Sequence, residues 1–395
     1  MDFAPLHRRL GYLLAASIVL SPLALSAQSG GQDEQLASPH SPALAAVMAQ
    51  YRRALAPYLQ AQAAYAAAAD AYWNTIAEKR RLRARKRANH EPITIDDYVL
   101  AQPPVYSGPP RPHDPSKPQE KAPRPAIYVP VVADFLAAAQ REFRFVPQLP
   151  QRESEYKRAY AGAAISAGLT KDQIVRVYSF EAGGNGDYDV QAGLEYDKRA
   201  RAITTALGYN QLLATNTVEI MAENGHRFVG LLSRAAAAGA EAARDNKIAI
   251  LRKMIGVATS VPDDWNEHQA LANTPRGLGI HALNLDIDVG PLLQTQKLVD
   301  SVLFARRKSV GSTLSAAELE MMNLTGDGNG LDMITMPPAW RDRVPTANFF
   351  QRGGYEDNPV AQRNNVVGRL IAATDARMDQ EVKKPGAREL AAALR

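Results

Sequence analysis

Three short stretches hold the residue types that could do chemistry. In "IVRVYSFEAGGNGDYDVQAG", Ile174 to Gly193, an apolar run ends on Glu181 and passes straight into a glycine-rich polar loop. A carboxylate there is either an ordinary helix end or an acid that hands a proton to a glycosidic oxygen. Partial burial beside Tyr178 and Phe180 would keep it protonated near neutral pH, because desolvation penalises the charged form. Further on, Gly208, Tyr209, Asn210 and Gln211 fall just before an amphipathic helix. A glycine lets backbone approach closely and an amide side chain both donates and accepts, a pairing suited to an N-acetylated sugar. The loop between the two stretches carries Asp187, Asp189, Glu195 and Asp197. Asp187 and Asp189 are the candidate second acids. A third stretch, "HALNLDIDVGPLL", offers Asn284.

Helices must position these groups. Thr170 and Gln173 have capping-box spacing, so a helix should start at Lys171, and Gly183 and Gly184 should stop it. On that helix Ile174, Val177, Tyr178 and Glu181 share one face. The face is apolar, so it should pack on the core and leave the carboxylate at the core edge. Apolar residues at three-and-four spacing predict further helices within 129–146 and 153–169. Others are expected at 212–224, 227–253, 291–307, 314–323 and 358–378. Strand signals are scarce and no fixed-period repeat is visible. The fold class expected is mainly α.

The N-terminal part reads differently. Residues 41–88 are alanine-rich, with Leu44, Met48, Tyr51, Leu55, Leu59 and Tyr65 at helical spacing, and Pro57 should break or kink the helix. The segment ends in "KRRLRARKR", seven basic residues between Lys79 and Arg87. They suit either an acidic polymer or membrane surface, or a solvated helix end favoured by the helix dipole. From Gln102 to Ala126 the chain holds nine prolines. Such a run reads as an extended linker or wrapping arm, and the domain boundary is placed there.

Composition sets the remaining bounds. The chain has no cysteine, which excludes disulfides, thiol catalysis and thiolate metal sites. Arg8 and Arg9, an apolar run from Leu10 to Leu25 and small residues near Ala27 have the layout of a secretory signal peptide over 1–27. Export to the periplasm is therefore expected, with no stable membrane span after cleavage. The formal charge of +5 loses Asp2, Arg8 and Arg9 with that segment and becomes +4. That mild excess suits anionic envelope polymers and makes no demand for nucleic acid.

A helix ending in glutamate, a polar loop, then "A-x-G-Y-x-Q-L" and a Thr-containing helix start resemble the lysozyme-like lytic transglycosylases. The resemblance runs from about Leu169 to Phe304. It implies a lysozyme-like helical catalytic domain over 127–310. Around that domain would lie a helical segment at 28–101, the linker at 102–126 and a helical extension at 311–395. It implies that Glu181 is the sole catalytic acid and base. The family's G-L-M-Q motif lines the sugar cleft, so Gly208, Tyr209, Asn210 and Gln211 are its substrate-binding counterparts. Tyr209 and Asn210 replace the usual pair. Thr204 or Thr205 would stand for the serine that follows the glutamate loop. The family's A-Y-N-x-G motif falls on Ala282, Leu283 and Asn284, with leucine in place of tyrosine. Tyr178 would border the same cleft.

The implied reaction is cleavage of peptidoglycan glycan strands between N-acetylmuramic acid and N-acetylglucosamine. Glu181 protonates the bridging oxygen, then deprotonates the muramyl C6 hydroxyl, giving a 1,6-anhydro sugar. No cofactor and no metal are expected. Two alternatives stay open: a hydrolytic muramidase in which a loop aspartate activates water, and a non-catalytic glycan-binding or scaffold module of the same fold. Elsewhere, "DGNG" at 327–330 reads as a tight turn rather than a calcium loop, because the distal glutamate is missing. The seven histidines show no paired spacing, and His226 reads as a helix-end residue. Phe349, Phe350, Tyr355 and Arg352 either line a groove or pack a loop.

Overall fold

The computed structural model describes residues 42–117, 128–194, 201–234, 241–308, 310–311 and 313–394. Residues 1–27, read above as a signal peptide, and Glu195 and Asp197 lie outside the described residues. The protein is mainly helical, and among the described residues only two isolated bridges have β character. In chain order the α-helices are α1 (Pro42–Ala88), α2 (Val132–Phe143), α3 (Glu153–Ser166), α4 (Lys171–Glu181), α5 (Ala214–Arg234), α6 (Glu241–Ala258), α7 (Trp265–Ala272) and α8 (Pro275–His281). They continue as α9 (Gly290–Arg307), α10 (Ala316–Thr325), α11 (Asp327–Ile334), α12 (Pro338–Arg341), α13 (Arg352–Glu356), α14 (Pro359–Arg363), α15 (Val367–Glu381) and α16 (Pro385–Ala393).

The chain forms two compact units. Of the described residues, one contains 128–342 and 366–394; the other contains 42–117 together with Arg343–Asn365. The division between the two units falls between the described residues 117 and 128. Residues 343–365, expected within one C-terminal extension, belong instead to the unit that holds α1.

In the larger unit α2 packs on α8, and α5 packs on α6, α7 and α8. Phe135, Leu207, Val218, Met221, Phe228, Leu251, Ile280 and Leu293 form the shared core. Each large apolar side chain removed from water there stabilises the unit by roughly 1.5–3 kcal/mol. Helix α3 rests on α9 and α16, and α4 rests on α10, α15 and α16. Three expectations change. Helix α5 runs through to Arg234, so His226 is a mid-helix residue. Residues 327–330 open α11 rather than a turn, because Gly326 at φ 80° re-aims the chain and Asp327 suits the helix N-terminus. Residues 358–378 divide into α14 and α15 at Asn364.

In the smaller unit α1 continues through Pro57. The missing hydrogen bond and ring clash cost about 3 kcal/mol, and the alanine-rich turns on both sides carry the helix past them. Tyr106 of the proline-rich segment packs edge-on against Tyr58 and Tyr65 of α1, and Gly108 lies against Ala61, so this part of the segment rests on the helix. The basic run is not simply solvated. Arg83 is fully buried, stacks over Tyr98 at 4.5 Å and donates to the Asp97 and Asn348 carbonyls at 3.0 and 2.9 Å. Lys86 pairs with Asp97 at 2.6 Å. Phe349, Phe350 and Tyr355 are buried in this unit, which makes their stretch a packed loop.

Candidate functional site

Helix α4 begins as its cap predicts. Thr170 Oγ1 accepts from the Gln173 amide at 3.2 Å, and Gln173 Oε1 accepts from the Thr170 amide at 2.9 Å. Gln173 Nε2 then donates to the Leu314 carbonyl at 2.9 Å, tying the helix start to the chain before α10. Ile174, Val177 and Tyr178 are fully buried, as their shared face requires. The helix ends at Glu181, and Gly183 and Gly184 follow at φ 61° and 70°, the left-handed region that glycine enters without strain.

The Glu181 carboxyl is half-buried and faces α10. Asn323 Nδ2 donates to its Oε1 at 2.8 Å. Its other neighbour is a carboxyl: Glu320, three residues before Asn323 on the same face of α10, lies close enough for the two acids to act on each other electrostatically. Glu320 is 1% exposed. Its Oε2 receives no hydrogen bond from any donor group among the described residues. Arg377 of α15 lies nearby, its guanidinium 4.7 Å over the Phe180 ring. Burial lifts the pKa of Glu181 above the ordinary carboxylate range, while Glu320, Arg377 and Asn323 pull it back down. Burial lifts Glu320 much further, and the neighbouring Glu181 charge adds to the rise.

The loop after Glu181 is joined to the Gly208–Gln211 stretch by its backbone. The Gly208 amide donates to the Val190 carbonyl at 2.8 Å, and the Ala192 amide donates to the Ala206 carbonyl at 3.2 Å. Gln211 stands at φ 44°, and its Nε2 donates to the carbonyls of Val190 and Gly208 at 3.1 and 2.7 Å. Tyr178, one turn before Glu181, meets Tyr209 edge-on at 4.8 Å and donates from its hydroxyl to the Gly186 carbonyl at 2.8 Å. The first two motifs are thus one connected structure.

Asn284 joins them through a residue that the sequence reading missed, Gln294 of α9. Gln294 Nε2 donates to the Leu207 carbonyl and to Asn284 Oδ1 at 3.0 and 2.8 Å. Its Oε1 accepts from the Asn210 amide at 2.7 Å. Asn210 Nδ2 donates to the Gln294 carbonyl at 2.7 Å. His281 completes the network. Its Nε2 lies 2.8 Å from the Thr205 carbonyl, which only accepts, so that nitrogen carries the hydrogen. Nδ1 then accepts from Thr217 Oγ1 at 2.8 Å. Burial lowers the His281 pKa to about 4, keeping the ring neutral. The physical need is plain: 205–211 is irregular backbone inside a core, and its polar groups must find partners.

The expected site residues therefore divide. Glu181 and Gln211 are half-buried. Tyr178, Tyr209, Asn210 and Asn284 are buried and engaged internally, so in this conformation they support the site rather than line it. Gly208 has no room for a side chain, since a Cβ would sit 2.6 Å from Gln294 Nε2. Thr204 and Thr205 accept from the Ala206 and Ala214 amides, both at 3.1 Å. Asp187 and Asp189 are exposed. The charge of Asp187 acts on Glu153, Tyr178, Tyr188 and Asp189, whereas Glu320 and Arg377 act on Glu181. Glu153 is a further acid that the sequence did not single out. It accepts from the Tyr209 hydroxyl and the Tyr188 amide, and burial raises its pKa. Neither Glu153 nor Glu320 has a signal along the chain, because each meets its partners only through the tertiary fold.

No family model, no curated protein and no solved structure matches the chain significantly. Chemistry must therefore be argued from the geometry. Among the described residues no helix is long and apolar enough to cross a membrane, and no group of three or more His, Asp or Glu is placed to hold a metal ion. The outstanding chemical feature is a pair of carboxyls in contact, one half-buried and one fully buried, at the end of a capped helix.

Proposed function

We propose that the chain is an exported peptidoglycan-cleaving enzyme of the lytic transglycosylase type, with a lysozyme-like catalytic domain that centres on Glu181. One observation carries this reading. Glu181 ends a capped helix half-buried, its pKa is raised by burial, and its loop is bonded to the Gly208–Gln211 stretch. A carboxyl that retains its proton toward neutral pH is what protonation of a glycosidic oxygen requires.

Glu181 gives its proton to the oxygen between N-acetylmuramic acid and N-acetylglucosamine, and the bond breaks through an oxocarbenium-like state. The resulting Glu181 carboxylate takes the proton of the muramyl C6 hydroxyl. That oxygen closes on C1, and a 1,6-anhydro end forms without water. In this reading Gln211 orients the sugar through its Oε1, since its Nε2 is bonded to the Val190 and Gly208 carbonyls. Glu320 does not act as a water-activating base in this reading, because it is buried beside Glu181, whereas an inverting hydrolase holds its carboxyls about 6.5–9.5 Å apart with a water between them. The signal-like N-terminus supports a periplasmic location, where peptidoglycan glycan strands are the partner.

Two rival readings have specific support. The exposed Asp187 and Asp189 favour a hydrolytic muramidase in which one of them activates water. Internal engagement of Tyr209, Asn210 and Asn284 favours a glycan-binding or scaffold module without cleavage. Clearance of a peptidoglycan suspension by the mature chain and by Glu181→Gln separates them in part. Clearance abolished by the substitution supports Glu181. Sedimentation with peptidoglycan and no clearance by either form supports the scaffold.

A further inference from the structure

This inference rests on Glu181 being the acid. We infer that Glu320 is a positioning residue: a buried carboxyl that stays protonated and donates a hydrogen bond to Glu181, so that it fixes the Glu181 rotamer and sets its acid strength.

The geometry leaves little choice of protonation state. Glu320 is 1% exposed, and its Oε2 receives no hydrogen bond from a donor group among the described residues. Its neighbour, the Glu181 carboxyl, is already served at Oε1 by Asn323 Nδ2 at 2.8 Å, and Asn323 follows Glu320 by three residues on the same face of α10. Two ionised carboxyls side by side in a buried site repel and have no hydrogen to share, so one of the pair carries a proton. The deeper carboxyl, cut off from water, keeps the proton, because Asn323 and Arg377 do not make up for the lost hydration of an ionised group there. The elements packed on α10 do not change this. Helix α15 brings Arg377, which is exposed and shared with the Phe180 ring. Asp375 and Asp379 of α15 are held by Arg176. Helix α9 carries Asp300, which accepts from Gln296 Nε2 at 2.8 Å, and α11 carries Asp327, which accepts from Ser301 Oγ at 2.6 Å.

The consequence for the proposed reaction is specific. When Glu181 gives up its proton, the new carboxylate accepts from both the Glu320 hydroxyl and Asn323 Nδ2. Glu320 loses no proton in the cycle; it stabilises the anion that must later recover one. Burial alone would make Glu181 too weak an acid, and the neutral donor beside it offsets that rise.

The test is a carbon-13 NMR titration of the Glu181 side-chain carboxyl in the full chain, with Glu320→Gln and Glu320→Leu as variants. Glutamine keeps a donor without a charge, so it should leave the Glu181 midpoint within about half a unit of wild type. Leucine removes the donor, so it should raise the midpoint by about one unit. A fall of more than a unit in Glu320→Gln would overturn the inference, since it would mean that Glu320 is an ionised like charge. An unchanged midpoint in Glu320→Leu would also overturn it. If Glu320→Leu does not fold, infrared detection of a protonated carboxyl lost in Glu320→Gln decides the matter, and its absence from wild type at neutral pH overturns the inference. None of these readouts requires turnover. An inactive protein with the expected titration sinks only the enzymatic reading, and an active protein with an ordinary titration sinks only the role of Glu320.

Discussion

At the scale of single residues, the account depends on the protonation of Glu181. Its pKa is raised by burial, so the folded protein holds that proton to higher pH than a free glutamate does, for which about 4.3 is usual. Cleavage should fall as pH rises through the Glu181 midpoint, and a pH–rate profile measures this. An alkaline limb moved up by about one pH unit in Glu320→Leu and unmoved in Glu320→Gln would match the donor role; identical limbs in all three would not. The same sign governs stability. A carboxyl whose folded pKa is raised stabilises the fold fully below its unfolded pKa, and that contribution is lost as pH rises through the folded value. Glu181 itself was legible in the sequence, because its capping box, apolar face and glycine stop all lie within one local stretch. Glu320 was not, because it reads as one more polar residue of a short helix until the fold brings it against Glu181.

At the scale of elements, the Gly208–Gln211 stretch is held by partners from α3, α4 and α9, and Thr205 before it by α5 and α8. Gly208 sits at φ 79°, and an added Cβ would press on Gln294. Gly208→Ala should therefore destabilise the protein by about 2 kcal/mol or more, roughly half from left-handed backbone strain and the rest from displacing Gln294. Urea unfolding measures the loss, and a double-mutant cycle with Gln294→Ala should recover only the steric share. His281 makes a second prediction. Its pKa of about 4 lies below the ordinary value of 6.5. A histidine with a lowered pKa stabilises the fold fully above its unfolded value, and that stability is lost as pH falls through the folded value. Thermal unfolding should therefore show about 3 kcal/mol lost between pH 6.5 and 4, and the loss should shrink in His281→Gln. An equal pH slope in both proteins would contradict the network. The sequence showed that 206–211 and 282–284 mattered, but not that Gln294 joins them. Gln294 lies within an ordinary helical pattern, and nothing in its neighbours along the chain distinguishes it.

At the scale of the whole molecule, the mainly helical class was legible because apolar spacing of three and four persists through almost every element. Long-range organisation was less so. The chain leaves the larger unit after Asp342 and returns at Val366, while 343–365 completes the unit built on α1. Nothing local to those residues marks the exchange. Nor could the sequence show that one arginine of the basic run is buried: solvated and buried arginines look alike until Tyr98, Phe349 and two carbonyls surround one of them. Arg83→Ala should destabilise that unit by about 3 kcal/mol, since two buried carbonyls lose their donor. Hydrogen exchange at the Tyr98 and Asn348 amides should accelerate accordingly. The central claim, however, concerns bond cleavage by Glu181. The most direct measurement is mass spectrometry of the fragments released from purified peptidoglycan by the mature protein and by Glu181→Gln. The account predicts 1,6-anhydro-muropeptides from the wild type and a loss of about 10²–10⁴ in their rate of release from the variant. Hydrated reducing ends, undiminished release by Glu181→Gln, or no release by either protein would contradict it.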